Sequence, residues 1–150
     1  MELAEAGAQG LALAVASGAL FGAAALRGNA GIALAAVAVF LGAFLYGMSL
    51  ADAPDSDHPA WPGWVIGAPV AALAYFTLRD VASVAAQRAG EGGAGGVAFI
   101  IAVAALALAG IALLGPAAYV GVVALLAIVY LAFARRKRSN EKHAGLRSLR

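Results

Sequence analysis

Residues 97–134 read VAFIIAVAALALAGIALLGPAAYVGVVALLAIVYLAFA, without one charged side chain. As a single α-helix this stretch would be about 57 Å long, nearly twice the roughly 30 Å of hydrocarbon in a bilayer. It therefore has to turn, and Gly115 followed by Pro116 marks the place. Glycine can end one helix, and proline can open the next at a position where no N–H is needed. Two apolar segments result, 97–114 and 117–134, each of a length suited to crossing lipid.

The whole chain shares this character. Of its 150 residues 63% are hydrophobic and 12% charged, with a mean hydropathy of +0.89; soluble domains carry about 25% charged residues. Folded in water, such a chain would expose contiguous apolar patches that soluble monomers rarely tolerate. With no cysteine, disulfides, thiolate metal sites, iron–sulfur clusters and cysteine nucleophiles are excluded together.

Three more apolar runs lie toward the N-terminus, over 6–26, 30–50 and 61–78. The second holds Ile32, Leu34, Val37, Val39, Phe40, Leu41, Phe44 and Leu45 and inserts favourably by several kcal/mol at about −0.3 to −0.6 kcal/mol per strongly apolar residue. The first and third are rich in Ala and Gly, and the third contains Pro69, so neighbouring helices are expected to shelter them. Arg27, Gly28 and Asn29 form a tight connection between the first two runs. The expected fold is all-α: a polytopic transmembrane helical bundle of five spans, arranged as a hairpin, a single span and a second hairpin, over 1–134, followed by a basic tail over 135–150.

Charge placement gives the same count independently. Glu2 and Glu5 precede the first span, and Asp52, Asp55 and Asp57 fill the second connection, with no Lys or Arg beside them. The ten basic residues are Arg27, then Arg79 and Arg88, then Arg135, Arg136, Lys137, Arg138, Lys142, Arg147 and Arg150. Five crossings put all three basic regions on one side, and the excess of Lys and Arg in cytoplasmic segments then predicts an external N-terminus and a cytoplasmic C-terminus. Met1 to Glu5 lacks the positive segment of a signal peptide, so none is expected.

Several residues are candidates for specific roles. Trp61 and Trp64 open the third span, where amphipathic rings anchor at the headgroup level. Ala14, Gly18 and Gly22 on the first span, and Gly63 and Gly67 on the third, recur at four-residue spacing, which lets helix backbones approach closely; self-association through Gly18 and Gly22 is a secondary use of the same stripe. Ser17, alone at mid-span, is expected to bond to backbone or across helices. Tyr46, Tyr75, Tyr119 and Tyr130 lie toward span ends, where a hydroxyl reaches the interface. Arg135, Arg136, Lys137 and Arg138 stop transfer, fix topology and meet anionic headgroups, each basic residue contributing about 1 kcal/mol near an anionic leaflet. The tail carries no aromatic residue to stack on bases, so nucleic acid would be held by phosphate attraction alone.

Other motifs carry less. His58 with Asp55 supplies one imidazole on a proline-rich loop, too little for a metal set. The GEGGAGG run over 90–96 is read as a flexible linker, since a phosphate-binding loop needs a preceding strand and a Lys and Ser/Thr that are missing. Residues 79–88 are read as a continuation of the third helix.

The spans contain no Asp, Glu, Lys, Arg or His, the groups with which pumps, proton-coupled transporters and voltage sensors work. No haem ligand lies at depth, and no Ser or Asp is paired with a histidine at a hydrolytic spacing. A non-enzymatic protein without cofactor or metal is expected, with a structural or accessory role exercised by association of its helices, with each other, a second copy or a membrane protein partner, and of its basic end with lipid. The alternative is a small channel or transporter with an uncharged pathway. In layout alone the chain resembles the small polytopic envelope proteins of membrane-containing archaeal viruses, whose basic end faces the genome, and it shares that layout with many cellular membrane proteins. A cell membrane is the expected location and a viral envelope the alternative.

Overall fold

The structure is a computed structural model that describes residues 3–27, 30–53, 59–90, 92–114 and 119–147, with Arg27 and residues 138–147 described by backbone alone. Among these residues there are five α-helices and no strand: α1 (Leu3–Ala24), which ends in a 3-10 turn (Ala25–Arg27), α2 (Gly31–Ala51), α3 (Trp61–Ala89), α4 (Gly93–Leu114) and α5 (Tyr119–Arg147). All five are long and apolar enough to cross a membrane. The expected turns at Gly28 and Asn29 and at Gly115 and Pro116 lie outside the described residues.

Helix ends follow local chemistry. Pro62 sits in the first turn of α3, where no partner is lost. Asp52 caps α2, its N–H donating to the Met48 carbonyl at 2.9 Å. Helix α3 passes Pro69 without interruption and continues over residues 79–88 to Ala89.

Two expected boundaries move. The linker expected over 90–96 shortens, because α4 already begins at Gly93; Gly90 and Gly92, at φ 75° and 85°, supply the left-handed turn that glycine alone adopts freely. Glycine disfavours a helix by about 1 kcal/mol per residue but does not forbid one, and the long apolar run after Gly96 propagates the helix backward. At the other end, α5 crosses residue 134 without a break and runs to Arg147. Arg, Lys and Glu are good helix formers and no proline intervenes, so the helix continues into the basic segment.

The helices are not arranged as two hairpins flanking a central span. Helix α1 is the centre: 72% of its most apolar window is buried, against 11% for α5, and it touches all four other helices. Ser49 lies beside Ala6 and Ser17 beside Ala38, so α1 and α2 are antiparallel. Gly18 faces Ala71 and Ala74, and Gly22 faces Tyr75 and Arg79, so α1 and α3 are parallel. Gly121 abuts Ala8 and Ala12, and Ile128 packs with Val15, so α5 is also parallel to α1. Ala112 packs with Ala12 and Leu13, while Leu20 and Ala105 line one cleft, so α4 is antiparallel to α1. Helices α4 and α5 follow each other in sequence yet scarcely touch; each is seated on α1 and α3. The alternating directions bring Glu5, Asp52 and both tryptophans to one end of the bundle, and Arg79, Arg88, Arg135, Arg136 and Lys137 to the other.

Burial is sorted by residue size. The buried residues of α1 are Ala, Gly and Ser with Leu13 and Val15, whereas Ile32, Phe40, Phe99, Leu114 and Phe133 face outward, Phe40 at 69% and Leu114 at 90% exposure. A water-soluble core buries its large apolar residues. Small residues inside and large apolar ones outside is the arrangement that membrane helices use, because lipid is as apolar as leucine and only close packing distinguishes the interior.

Candidate functional site

The first candidate is the seam among α1, α2 and α3. A Cβ added to Gly18 would overlap the Ala71 carbonyl oxygen and lie 2.7 Å from the Ala74 Cβ; on Gly22 it would lie 2.9 Å from the Tyr75 carbonyl oxygen. On Gly63 it would meet the Gly47 backbone at 2.7 Å, and on Gly67 the Gly42 carbonyl oxygen at 2.6 Å. All four glycines therefore sit where helix backbones touch within this chain, and none presents an open face to a second copy. Ala14, completely buried, lies on the same helix, one turn before Gly18.

Further glycines, not among those singled out above, sit at close helix contacts. Gly10 faces Ser49 and Tyr46, Gly42 faces Ala71 and Ser17, Gly47 faces the Trp64 indole, and Gly121 faces the α1 backbone. Gly10 continues the four-residue series of Ala14, Gly18 and Gly22 one step toward the N-terminus, while Gly42 and Gly47 are marked by standing within the otherwise bulky apolar α2.

Hydroxyls tie the seam together. The Ser17 hydroxyl donates to the Ala14 carbonyl at 2.9 Å and lies 3.4 Å from the Ala38 carbonyl of α2, combining both bonds expected of it. The Ser49 hydroxyl donates to the Tyr46 carbonyl at 2.9 Å and faces the Ala6 carbonyl of α1 at 3.1 Å. Tyr75 departs from the interfacial position expected of it: it is fully buried, and its hydroxyl donates to the Gly31 carbonyl at the start of α2. Tyr46 is buried too, while Tyr119 and Tyr130 are exposed. Gly10 and Gly67 on facing helices make room for Tyr46, while the Tyr75 ring is enclosed by Ala25, Ala38, Phe21 and Leu34.

The two ends differ in character. At the acidic end Trp61 and Trp64 are both exposed, and the Trp64 indole lies against Gly47 and borders an apolar recess with Phe40, Ala43 and Phe44. From Trp61 to Arg79 along α3 is 18 steps, about 27 Å at 1.5 Å per residue, close to the hydrocarbon thickness. At the basic end Arg135 forms an ion pair with Asp80 at 3.5 Å and donates to the Asp80 carbonyl at 2.9 Å, joining α5 to α3. Arg136 and Lys137 are exposed, and the Arg79 guanidinium lies over Gly31 at the start of α2. The Arg138 side chain and those of the remaining tail lie outside what is described.

Between α2 and α4, over α1, lies an apolar lateral cleft of about 210 Å³ lined by Leu13, Leu20, Leu41, Leu45, Leu106 and Ala109 among others. Among the described residues no three His, Asp or Glu gather as a metal set; His58 and Asp55 lie outside them. No protein family matches the chain, and no similar curated protein or solved structure was found.

Proposed function

We propose that this is a non-enzymatic integral membrane protein that crosses the bilayer five times, with its acidic end outside and its basic end in the cytoplasm. Its role is structural or accessory, exercised by holding a compact bundle whose outer surface meets lipid and membrane protein partners, with the polybasic segment from Arg135 against an anionic leaflet. The observation that carries the reading is the size sorting: Gly, Ala and Ser face inward while Phe, Ile and Leu face out, an arrangement water would penalise over the whole surface.

The orientation rests on the separation of Glu5 and Asp52 from the five described cations, read through the positive-inside rule. Association within the bundle accounts for the glycine stripes, so a partner or second copy would meet the bulky outer faces of α2, α4 and α5. The channel or transporter alternative draws on the cleft beside Ser17, but that hydroxyl already faces two carbonyls, and α3 is unbroken at Pro69, whereas transport sites use broken helices and free polar ligands.

The test is impermeant labelling of single cysteines, placed at Glu5 and at Lys137, in sealed right-side-out vesicles. Labelling of the first and protection of the second is expected. Labelling of both would overturn the odd number of crossings, and recovery of the chain as a detergent-free soluble monomer would overturn membrane insertion itself. Selective solute flux through liposomes containing only this protein would favour the alternative.

A further inference from the structure

Helices α3 and α5 leave the apolar layer at the same end and the same level, and Asp80 marks that level by holding Arg135. Arg79 precedes Asp80 and lies over Gly31, the first residue of α2, while Arg136 and Lys137 follow Arg135 on α5. These positions share one depth, about 27 Å along α3 from Trp61, where headgroup phosphates would lie if the tryptophans mark the opposite interface. Asp80 with Arg135 is the one ion pair among the described residues, and the other described carboxylates, Glu5 and Asp52, lie at the far end. Arg79, Arg136 and Lys137 are exposed and meet no carboxylate among the described residues.

Resting on the membrane reading above, we infer that Arg79, Arg136 and Lys137 form a rim of separate contact points for the phosphates of acidic phospholipids, with Arg135 a positioning residue and not a ligand. Arg79 lies over the start of α2, and Arg136 and Lys137 leave α5 about 100° and 200° round from Arg135. The carboxylate and main-chain carbonyl of Asp80 occupy the Arg135 guanidinium and draw α5 against α3. The neighbouring cations are thereby presented from two helices at headgroup depth, where each basic residue attracts an anionic lipid. Charge complementarity favours an anion over a zwitterion, and the depth favours a headgroup over nucleic acid, which would approach from bulk water.

The test uses the full chain in phosphatidylcholine bilayers with spin-labelled phosphatidylglycerol or spin-labelled phosphatidylcholine as probe. A motionally restricted component is expected with both, enriched roughly fivefold or more for phosphatidylglycerol, the factor that one basic residue's headgroup attraction supplies. The enrichment should vanish in 1 M salt, where screening acts within about 3 Å, and fall by at least half in the triple variant Arg79→Gln, Arg136→Gln, Lys137→Gln. In Asp80→Asn, which loosens the tie of Arg135 to α3 although it adds net positive charge, the enrichment should fall; a rise would mean that net charge and not placement attracts the lipid, and would overturn the positioning role of Arg135. Restricted lipid without preference for either headgroup overturns the site while leaving the membrane reading intact; no restricted component with either probe overturns that reading. Enrichment that survives 1 M salt also overturns the site, as does an anionic oligonucleotide that binds the protein in phosphatidylcholine while phosphatidylglycerol shows no enrichment.

Discussion

The Tyr75 hydroxyl of α3 donates a hydrogen bond to the Gly31 carbonyl at the first turn of α2, and Tyr75 is the one large side chain with essentially no exposure among the described residues. Its ring joins Ala25 and Ala38 in a cluster flanked by Phe21 and Leu34, so a single residue ties α1, α2 and α3 together near the basic end. Polar bond and apolar filling can be separated by substitution. Tyr75→Phe should cost about 1 kcal/mol, the usual net value of such a bond, and Tyr75→Ala about 3–5 kcal/mol, the cost of emptying an aromatic site. Thermal unfolding in mild detergent measures both, and equal losses for the two would contradict the packing described.

Glycines in this bundle are not equivalent. Gly18→Ala places a methyl group against the Ala71 carbonyl and Ala74 Cβ of α3, where backbone must give way, and should cost about 1–3 kcal/mol. Gly110→Ala meets nothing within 4 Å and should be neutral or stabilising by up to about 1 kcal/mol, through better helix propensity. Gly18→Leu and Gly22→Leu should disrupt the bundle outright. Similar melting temperatures for Gly18→Ala and Gly110→Ala would rule out close contact of α1 with α3.

Val39 stands eight residues into α2, a little over a third of the way along the helix. Val39→Arg should raise the insertion free energy of that segment by about 2.5–3.5 kcal/mol. A translocation assay of the isolated segment reads this directly, and an unchanged inserted fraction would move Val39 away from the bilayer centre.

The Asp80 to Arg135 pair is solvent-accessible, its side chains 73% and 32% exposed. Pairs of that kind contribute about 0–1 kcal/mol, so Arg135→Gln should leave the melting temperature nearly unchanged. A double-mutant cycle with Asp80→Asn should give a small coupling that fades with salt; a coupling well above this range would mean that the pair is desolvated by lipid.

Five apolar helices were legible in the sequence because hydropathy and length suffice to find them, and the extension of α3 over 79–88 was legible because nothing there breaks a helix. The central position of α1 was foreshadowed only by its weak apolarity, which called for shelter without saying which helices provide it. Periodicity offered little help. When the interior and the surroundings are both apolar, a helix needs no polar face, and the pattern that orients a water-exposed helix is missing. What remains is residue size, legible at Gly18, Gly22, Gly63 and Gly67 through their regular spacing and not at Gly42, Gly47 or Gly121, which stand alone. The inward turn of Tyr75 depended on which helix faces it, a long-range fact that no local pattern contains. The pairing of Asp80 with Arg135 was hidden for the same reason, since the partners are 55 residues apart.

The enclosure of α1 has a consequence for biogenesis. A ribosome makes this helix ahead of the four that wrap it, and in the bilayer proposed for it, with so few strongly apolar side chains, it would have only a weak hold on lipid of its own. Its permanent surroundings arrive last, so a nascent chain halted before α5 would leave the flank marked by Ala8 and Ala12 bare, a natural target for membrane quality control.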